Sequence, residues 1–413
     1  MSAHSTAADS RRDGWLHAPR SLVWLVLVSA VLLALRKPWA LHTPQFWAED
    51  GSIFLQQDHD LGLRAWWQPY NGYLHLLPRL IAWIASHTAD VARWPAIYNG
   101  LAFAIHVALF ARLASRRVEL PGKAWLMLAF VLTVGTGEVL INVTNLQWVT
   151  AFFLGLQLFT APAKNGAQLA GDLALLGVVG LNGPFAIVLL PVFAWRAWRD
   201  RQIDAWLALG VVGVCAAVQA VFLARAGLSL EGNIEPFRPP MFFSILGSRL
   251  VTWPIFGPAA VRAWPQAVHA ALALAVIGTV LGRTLRADSR RPARLMIAAI
   301  FCLITLASLY RARADTWTQD DMVNGDRYFY IPRVLLTWLV IWECAAKSRA
   351  LAWIARGLCV LGLATHAPHF ILPAPPDYHW AEHCDPIRRG VPANIKTLPE
   401  GWWIEYPGRP KKP

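Results

Sequence analysis

The chain has 413 residues, 56% of them hydrophobic and only 15% charged, with 22 tryptophans and a net charge of +13. That is too little charge for a soluble protein of this length, and apolar runs of bilayer-spanning size recur throughout, so the composition defines one integrated membrane bundle. The positive charge sits in short clusters between apolar runs (Arg116, Arg117 and Lys123; Arg196, Arg199 and Arg201; Arg283 to Arg294; Lys347 and Arg349), which orients spans and excludes nucleic acid as a partner, since no basic module accompanies it.

Residues 1–20 are polar and carry Arg11, Arg12 and Arg20 ahead of "SLVWLVLVSAVLLALR". With no small-residue cleavage site, they read as a cytoplasmic tail before a retained first span at about 21–40. The aromatic-rich segment 41–92 is then a large outer loop. Its "YLHLLPRLIAWIAS" is apolar but short, and is interrupted by Pro78 and Arg79, so it reads as juxtamembrane. Counting it as a span would put the basic cluster 111–117 outside.

Further spans are predicted at about 93–114, 124–140 and 147–163, then as a short pair around the "LNGP" turn. The remainder lie at about 203–225, 265–283, 295–310, 330–346 and 350–370. The stretch 241–262, broken by Pro254, Gly257 and Pro258, reads as interfacial. The fold class is thus an all-α polytopic bundle of about eleven transmembrane helices over residues 21–370. A Pro-rich, loop-like tail, 371–413, comes after it on the outer side. The five cysteines show no disulfide framework or CxxC spacing, and there is no Walker loop, GxSxG or HExxH.

The polar-aromatic clusters (43–75, 138–148, 182–184, 231–238, 311–330 and the tail) all fall on the outer side. That suits a reaction there with a lipid-borne reactant. A transporter or flippase, the principal alternative, would need ionisable groups near mid-bilayer, where only His106, Asp172 and Glu343 qualify.

In "FWAEDGSIFL", Glu49 and Asp50 stand side by side near Trp47. They suit a general base or a hold on a divalent cation, and equally the negative charge favoured at a helix N-terminus. "YNGYLHLLPR" offers Tyr70, Tyr73, His75 and Arg79. "NVTNLQW" offers Asn142, Asn145, Gln147 and Trp148, amides and an indole face for a sugar, or helix caps and interface belt. Asn142-Val143-Thr144 also matches a glycosylation sequon. In "NGDRYFYIPRVLL", Arg327 presents a fork for phosphate oxygens, with Tyr328 and Tyr330 beside it for a lipid chain or sugar; the bland reading is an interfacial anchor. Asp320 and Asp321 read as solvated loop acids. His379, His383, Cys384 and Asp385 lack a second ligand pair at metal spacing.

Taken in order, these stretches resemble the GT-C superfamily of integral-membrane glycosyltransferases, such as protein O-mannosyltransferases and the aminoarabinose transferases of lipid A. The likeness rests on "AEDGSIF" (48–54), "GYLHLLPRLIAWIA" (72–85), "ARWP" (92–95), "ARLASRR" (111–117) and "DRYFYIP" (326–332), with "TNLQW" and "LNGPF" at outer turns. It covers roughly residues 20–370; the soluble C-terminal domain of larger members is missing.

The resemblance implies a polyprenyl-phosphate sugar as donor and a cell-envelope glycan, lipid or protein as acceptor. Asp50 or Glu49 would be the general base of an inverting displacement. Arg327, Tyr328, Tyr330 and Arg79 would hold the donor phosphate and lipid. Asn145, Gln147, Trp148, Trp47, Tyr73 and His75 would hold sugar and acceptor, and a divalent metal is compatible with the set. A polysaccharide polymerase or ligase using a diphosphate-linked glycan is the remaining alternative.

Overall fold

A computed structural model describes residues 19–226, 235–286, 290–312, 322 and 325–408. The expected cytoplasmic tail, all but its last residues, and the loop acids Asp320 and Asp321 lie outside the described residues. The described fold is mostly helical. The long elements are α1 (Pro19–Arg36), α2 (Gln56–Leu61), α3 (Leu76–Thr88), α4 (Trp94–Ala114), α5 (Lys123–Leu132), α6 (Leu146–Gln157), α7 (Gly166–Gly180) and α8 (Phe185–Asp200). They continue as α9 (Ile203–Arg225), α10 (Pro239–Leu246), α11 (Trp253–Ala263), α12 (Gln266–Thr284), α13 (Arg291–Arg311), α14 (Arg327–Glu343) and α15 (Arg349–His366).

Five segments are long and apolar enough to cross a membrane: Val91–Ala114, Ile203–Arg225, Gln266–Thr284, Arg291–Arg311 and Arg349–His369. The others expected as spans are shorter. The centre of the bundle is α6, packed among α4, α7, α8 and α14. All twelve of its residues are buried, as expected of a helix apolar on every face. At about 1.5 Å per residue it is roughly 18 Å long, well short of a hydrocarbon core of about 30 Å.

The predicted span 124–140 is the clearest departure. Helix α5 stops at Leu132, because Gly135 and the left-handed Gly137 (φ 79°) prevent the helix from continuing. The unwound backbone is satisfied by buried cations. Lys37 Nζ donates to the carbonyls of Gly137 (3.2 Å) and Leu140 (2.5 Å), Arg333 to that of Val134 (2.5 Å), and Arg36 to that of Val131. Irregular backbone persists inside a membrane protein only when it is paired in this way.

Helix α3 is amphipathic and thirteen residues long, with Pro78, Arg79, Ile81, Ala82 and Ala85 on its buried face. The tail departs from expectation. It is not loop-like but folds into α16 (Cys384–Arg389) and an antiparallel hairpin, β1 (Ala393–Thr397) and β2 (Trp402–Tyr406), with Ala393 opposite Tyr406 and Thr397 opposite Trp402. The apolar Ile395 and Ile404 sit opposite each other on its buried face, and polar residues alternate outward, the period-2 pattern of a half-buried strand.

Gly247 marks the tightest helix approach. A Cβ there would lie 1.8 Å from the backbone oxygen of His269 on α12, whereas at Gly210 on α9 nothing lies within 4 Å. Gly247→Ala should lower the thermal midpoint in detergent, with a loss of about 1–3 kcal/mol or more. Gly210→Ala should leave it unchanged or raise it.

Candidate functional site

One cavity of about 810 Å³ opens at one end of the bundle. The helices that reach it do so by matching ends: the N-termini of α6 (Gln147), α8 (Phe185) and α14 (Arg327), and the C-termini of α9 (Leu223) and α13 (Ser308, Arg311). The opposite ends of these helices carry Gln157, Arg196, Asp204, Arg294 and Glu343. Of the acids near that end, Asp204 accepts from Ala163 N–H (2.6 Å) and two others are tied to arginines. Asp172 meets Arg112 (3.0 Å) and Arg117 (2.6 Å), and Glu343 meets Arg294 and Arg283 (3.1 Å). His106 bonds only the Ala102 carbonyl of its own helix, at 2.8 Å. Glu343 is the last residue of α14 and Asp172 lies beside Gln157 and Arg196 at the same end, so these two acids, expected near mid-span, sit at the far end of the bundle in ion pairs.

The acidic pair divides its labour. Glu49 lies on the cavity wall, where it accepts a 2.8 Å hydrogen bond from the Tyr70 hydroxyl. Asp50 is wholly buried. Its carboxylate accepts from Thr144 N–H (2.6 Å), Thr144 Oγ1 (2.6 Å) and Val143 N–H (3.3 Å). A short π-helical turn, Asp50–Leu55, begins at this residue. Of the two residues offered as general base, only Glu49 can reach a substrate in the cavity. Asp50 instead clamps the turn that comes after α5.

That turn contributes Glu138, which sequence reasoning missed. Its carboxylate pairs with the Arg327 guanidinium and accepts from Arg327 N–H (3.3 Å) at the start of α14. Its own carbonyl is held by Asn145 Nδ2 (2.8 Å) and Asn142 Nδ2 (2.5 Å). Asn142 is buried and Thr144 is spent on Asp50, so the sequon is not presented for modification. The signal for Glu138 was there, an acid in a Gly-flanked outer turn. Arg311 is a second cation on the cavity that was missed; the hydrogen bond it makes to the Asn71 carbonyl is long, at 3.5 Å.

Trp47, Tyr73, His75, Asn145, Gln147, Trp148, Arg327 and Tyr328 all line the cavity, as expected. The Tyr73–His75 segment is stitched to the "LNGP" turn, Gly183 N–H donating to Leu74 O (2.9 Å) and Leu76 N–H to Leu181 O (3.2 Å). Gly183 is required there, because a Cβ would stand 2.7 Å from Gln147 Oε1. The ring of Trp148 packs edge-on to Phe185 and Tyr328. Among the described residues its Nε1 is buried without a hydrogen-bond partner, and His75 and Gln147, beside the Tyr70 backbone and the Tyr73 side chain, border the same cavity with buried polar atoms only weakly engaged. Buried polar atoms left so are the places where a polar ligand completes the bonding.

Two expected residues are corrected. Arg79 is buried, bonded to Gln68 O (2.9 Å), and lies 5.2 Å from the Phe54 ring centre; it does not line the cavity. It occupies the inward face of α3 with Pro78, Ile81 and Ala82, so it holds the loop together. Tyr330 is likewise buried, its hydroxyl donating to Phe130 O (2.9 Å), because two residues on from Tyr328 the α14 surface has turned into the bundle. Among the described residues no group of three or more His, Cys, Asp or Glu is placed to hold a metal. Comparison with protein-family models, curated proteins and solved structures returns no significant match.

Burial pushes the Asp50 carboxyl up to about 7, against the pull of its Thr144 and Val143 hydrogen bonds. It pushes the His75 imidazole down to about 3, with Arg79 adding to the effect. The signs are opposite. Between about pH 4 and 7 the folded chain holds a proton on Asp50 that the unfolded chain has released, so Asp50 lowers stability as pH rises. From about pH 6.5 down to 3 the unfolded chain protonates His75 while the folded chain does not, so His75 lowers stability as pH falls. Relative to the wild type, the plot of thermal midpoint against pH over this range should rise more steeply in Asp50→Asn and more shallowly in His75→Asn.

Proposed function

We propose that this membrane protein is a glycosyltransferase of the GT-C kind, which moves a sugar from a polyprenyl-phosphate donor to a hydroxyl acceptor at the outer face of a bacterial inner membrane. The observation that carries the reading is one cavity combining a carboxylate (Glu49), two guanidinium groups (Arg311, Arg327), buried sugar-type donors and acceptors, and an apolar flank. That flank, with Ile187 and Val188 on α8, Leu223 on α9 and Ala307 on α13, suits a prenyl chain entering from the bilayer.

The lining supports the following chemistry. Glu49 takes the proton of the acceptor hydroxyl, and the oxygen attacks the anomeric carbon as its bond to the phosphate oxygen breaks. The pair of electrons leaves on polyprenyl phosphate, whose charge Arg327 and Arg311 stabilise. One displacement inverts the anomeric centre. Glu138 orients Arg327, and Tyr70 orients Glu49. His75, Gln147, Trp148, Tyr73 and Asn145 surround the sugar.

The basic clusters at the far end of the helices support a cytoplasmic placement of that end, hence a periplasmic cavity, an N-terminus inside and about eleven crossings once the shorter helices are counted. The paired state of Asp172 and Glu343 counts against a transporter.

Undecaprenyl-phosphate sugars incubated with the protein in nanodiscs and envelope acceptor should give a labelled product. Glu49→Gln should reduce transfer by about a hundredfold or more with the thermal midpoint unchanged, the usual scale for losing a general base. Asp50→Asn should instead cost about 1–3 kcal/mol of stability, since the Val143 and Thr144 donors lose their carboxylate. Asp172→Asn should lower stability but leave activity per folded molecule intact. Full activity in Glu49→Gln, or loss of transport rather than transfer in Asp172→Asn, would sink the reading.

A further inference from the structure

We propose that the C-terminal hairpin forms the acceptor subsite of the cavity, and that the acceptor is a saccharide whose ring stacks on Trp402. This deepens the glycosyl-transfer reading and rests on it.

The residues after α15 are bound tightly to the rest of the fold. Leu372 N–H donates to Arg36 O (2.8 Å), and Tyr378 N–H to Gln45 Oε1 (2.9 Å). Trp380 Nε1 donates to Val91 O (2.9 Å), and Arg388 pairs with Asp90 at 2.6 Å. These contacts fix the segment to the cavity end of α1 and α4. The chain then returns beside the catalytic loop. Leu398 forms a parallel bridge with Trp47, its N–H donating to Phe46 O (3.0 Å).

Strand alternation decides which side chains face inward. On β2, Trp402, Ile404 and Tyr406 share one face, while Trp403 and Glu405 point outward. Ile404 is buried against Gly51, where an added Cβ would stand 2.3 Å from Ile404 Cδ1. So the hairpin is docked on the very loop that presents Glu49. Trp402, two residues nearer the hairpin turn on the same inward face, is only half-buried, because it overhangs the cavity together with Pro399. An inward Trp that ends over a cavity presents an indole face to a ligand.

The groups bordering that face define the ligand class. Trp402 and Trp47 offer apolar planes on the Glu49 side, and a pyranose has C–H faces to stack on such planes with hydroxyls at its rim. A lipid acceptor would need an aliphatic path, and the aliphatic lining, Ile187, Val188, Leu223 and Ala307, belongs to α8, α9 and α13 rather than to the hairpin. The arrangement divides the site into a donor half, at the arginines and the apolar flank, and an acceptor half, at the hairpin.

The test uses full-length protein in nanodiscs. Oligosaccharides released by mild acid from the envelope of a strain lacking the protein are probed by saturation-transfer NMR, and labelled undecaprenyl-phosphate sugars are supplied with separate polysaccharide, lipid and protein envelope fractions. Expected are ring-proton saturation with the wild type and label in the polysaccharide fraction. Trp402→Ala should abolish the saturation and raise the acceptor KM about tenfold or more at unchanged donor KM, Trp402→Phe should restore most of it, and outward Trp403→Ala should match the wild type. Label in the lipid or protein fraction, an unchanged acceptor KM in Trp402→Ala, or no saccharide saturation with the wild type would each overturn the proposal. Saccharide saturation that depends on Trp402 without any sugar transfer would uphold the subsite and overturn the glycosyltransferase reading instead.

Discussion

The cavity depends on a grip applied to thirteen residues of unwound chain, 133–145, that would otherwise have no place inside an apolar bundle. Carbonyls freed by Gly135 and Gly137 are taken by Arg36, Lys37 and Arg333, and the amides of Val143 and Thr144 are taken by Asp50. Lys37 lies within electrostatic reach of both Asp50 and Glu138, so the buried charges are not isolated. Burying such groups is costly unless each is bonded, and here each of them bonds at least one backbone group of this segment or of the helix end before it. What the grip secures is position: it sets Glu138 against Arg327 and brings Asn145, Gln147 and Trp148 to the cavity wall.

The same economy of charge separates the two ends of the bundle. At the end away from the cavity, acids and arginines neutralise one another in compact groups, Asp172 with Arg112 and Arg117, and Glu343 with Arg283 and Arg294. At the cavity end, Glu49 is met by a tyrosine rather than a cation, and Arg311 by a distant carbonyl. Groups paired to completion hold structure; groups left partly paired beside a polar void are available to a substrate.

The candidate site was legible wherever a residue type near a helix end sufficed. Trp47, Glu49, Gln147, Trp148 and Arg327 could be found because aromatic and polar residues at the outer ends of apolar runs have few other uses. Legibility failed where orientation mattered. Asp50 is adjacent to Glu49, yet Glu49 lines the cavity while Asp50 is buried on Thr144 and Val143. Arg79 and Tyr330 sit one helical face away from the cavity. Glu138 and Arg311 were obscured because their importance comes from partners far along the chain.

The amino-acid sequence by itself determined the membrane class, the helical fold, the clustering of basic residues between spans and the chain segments that carry the site, because composition and periodicity are local properties summed along the chain. Only the tertiary structure decided which of two neighbouring acids reaches the cavity, where spans unwind, and that the tail returns as a hairpin beside Glu49. Those outcomes rest on contacts between residues tens to hundreds of positions apart, such as Asp50 with Thr144 and Trp47 with Leu398, and no local pattern records them.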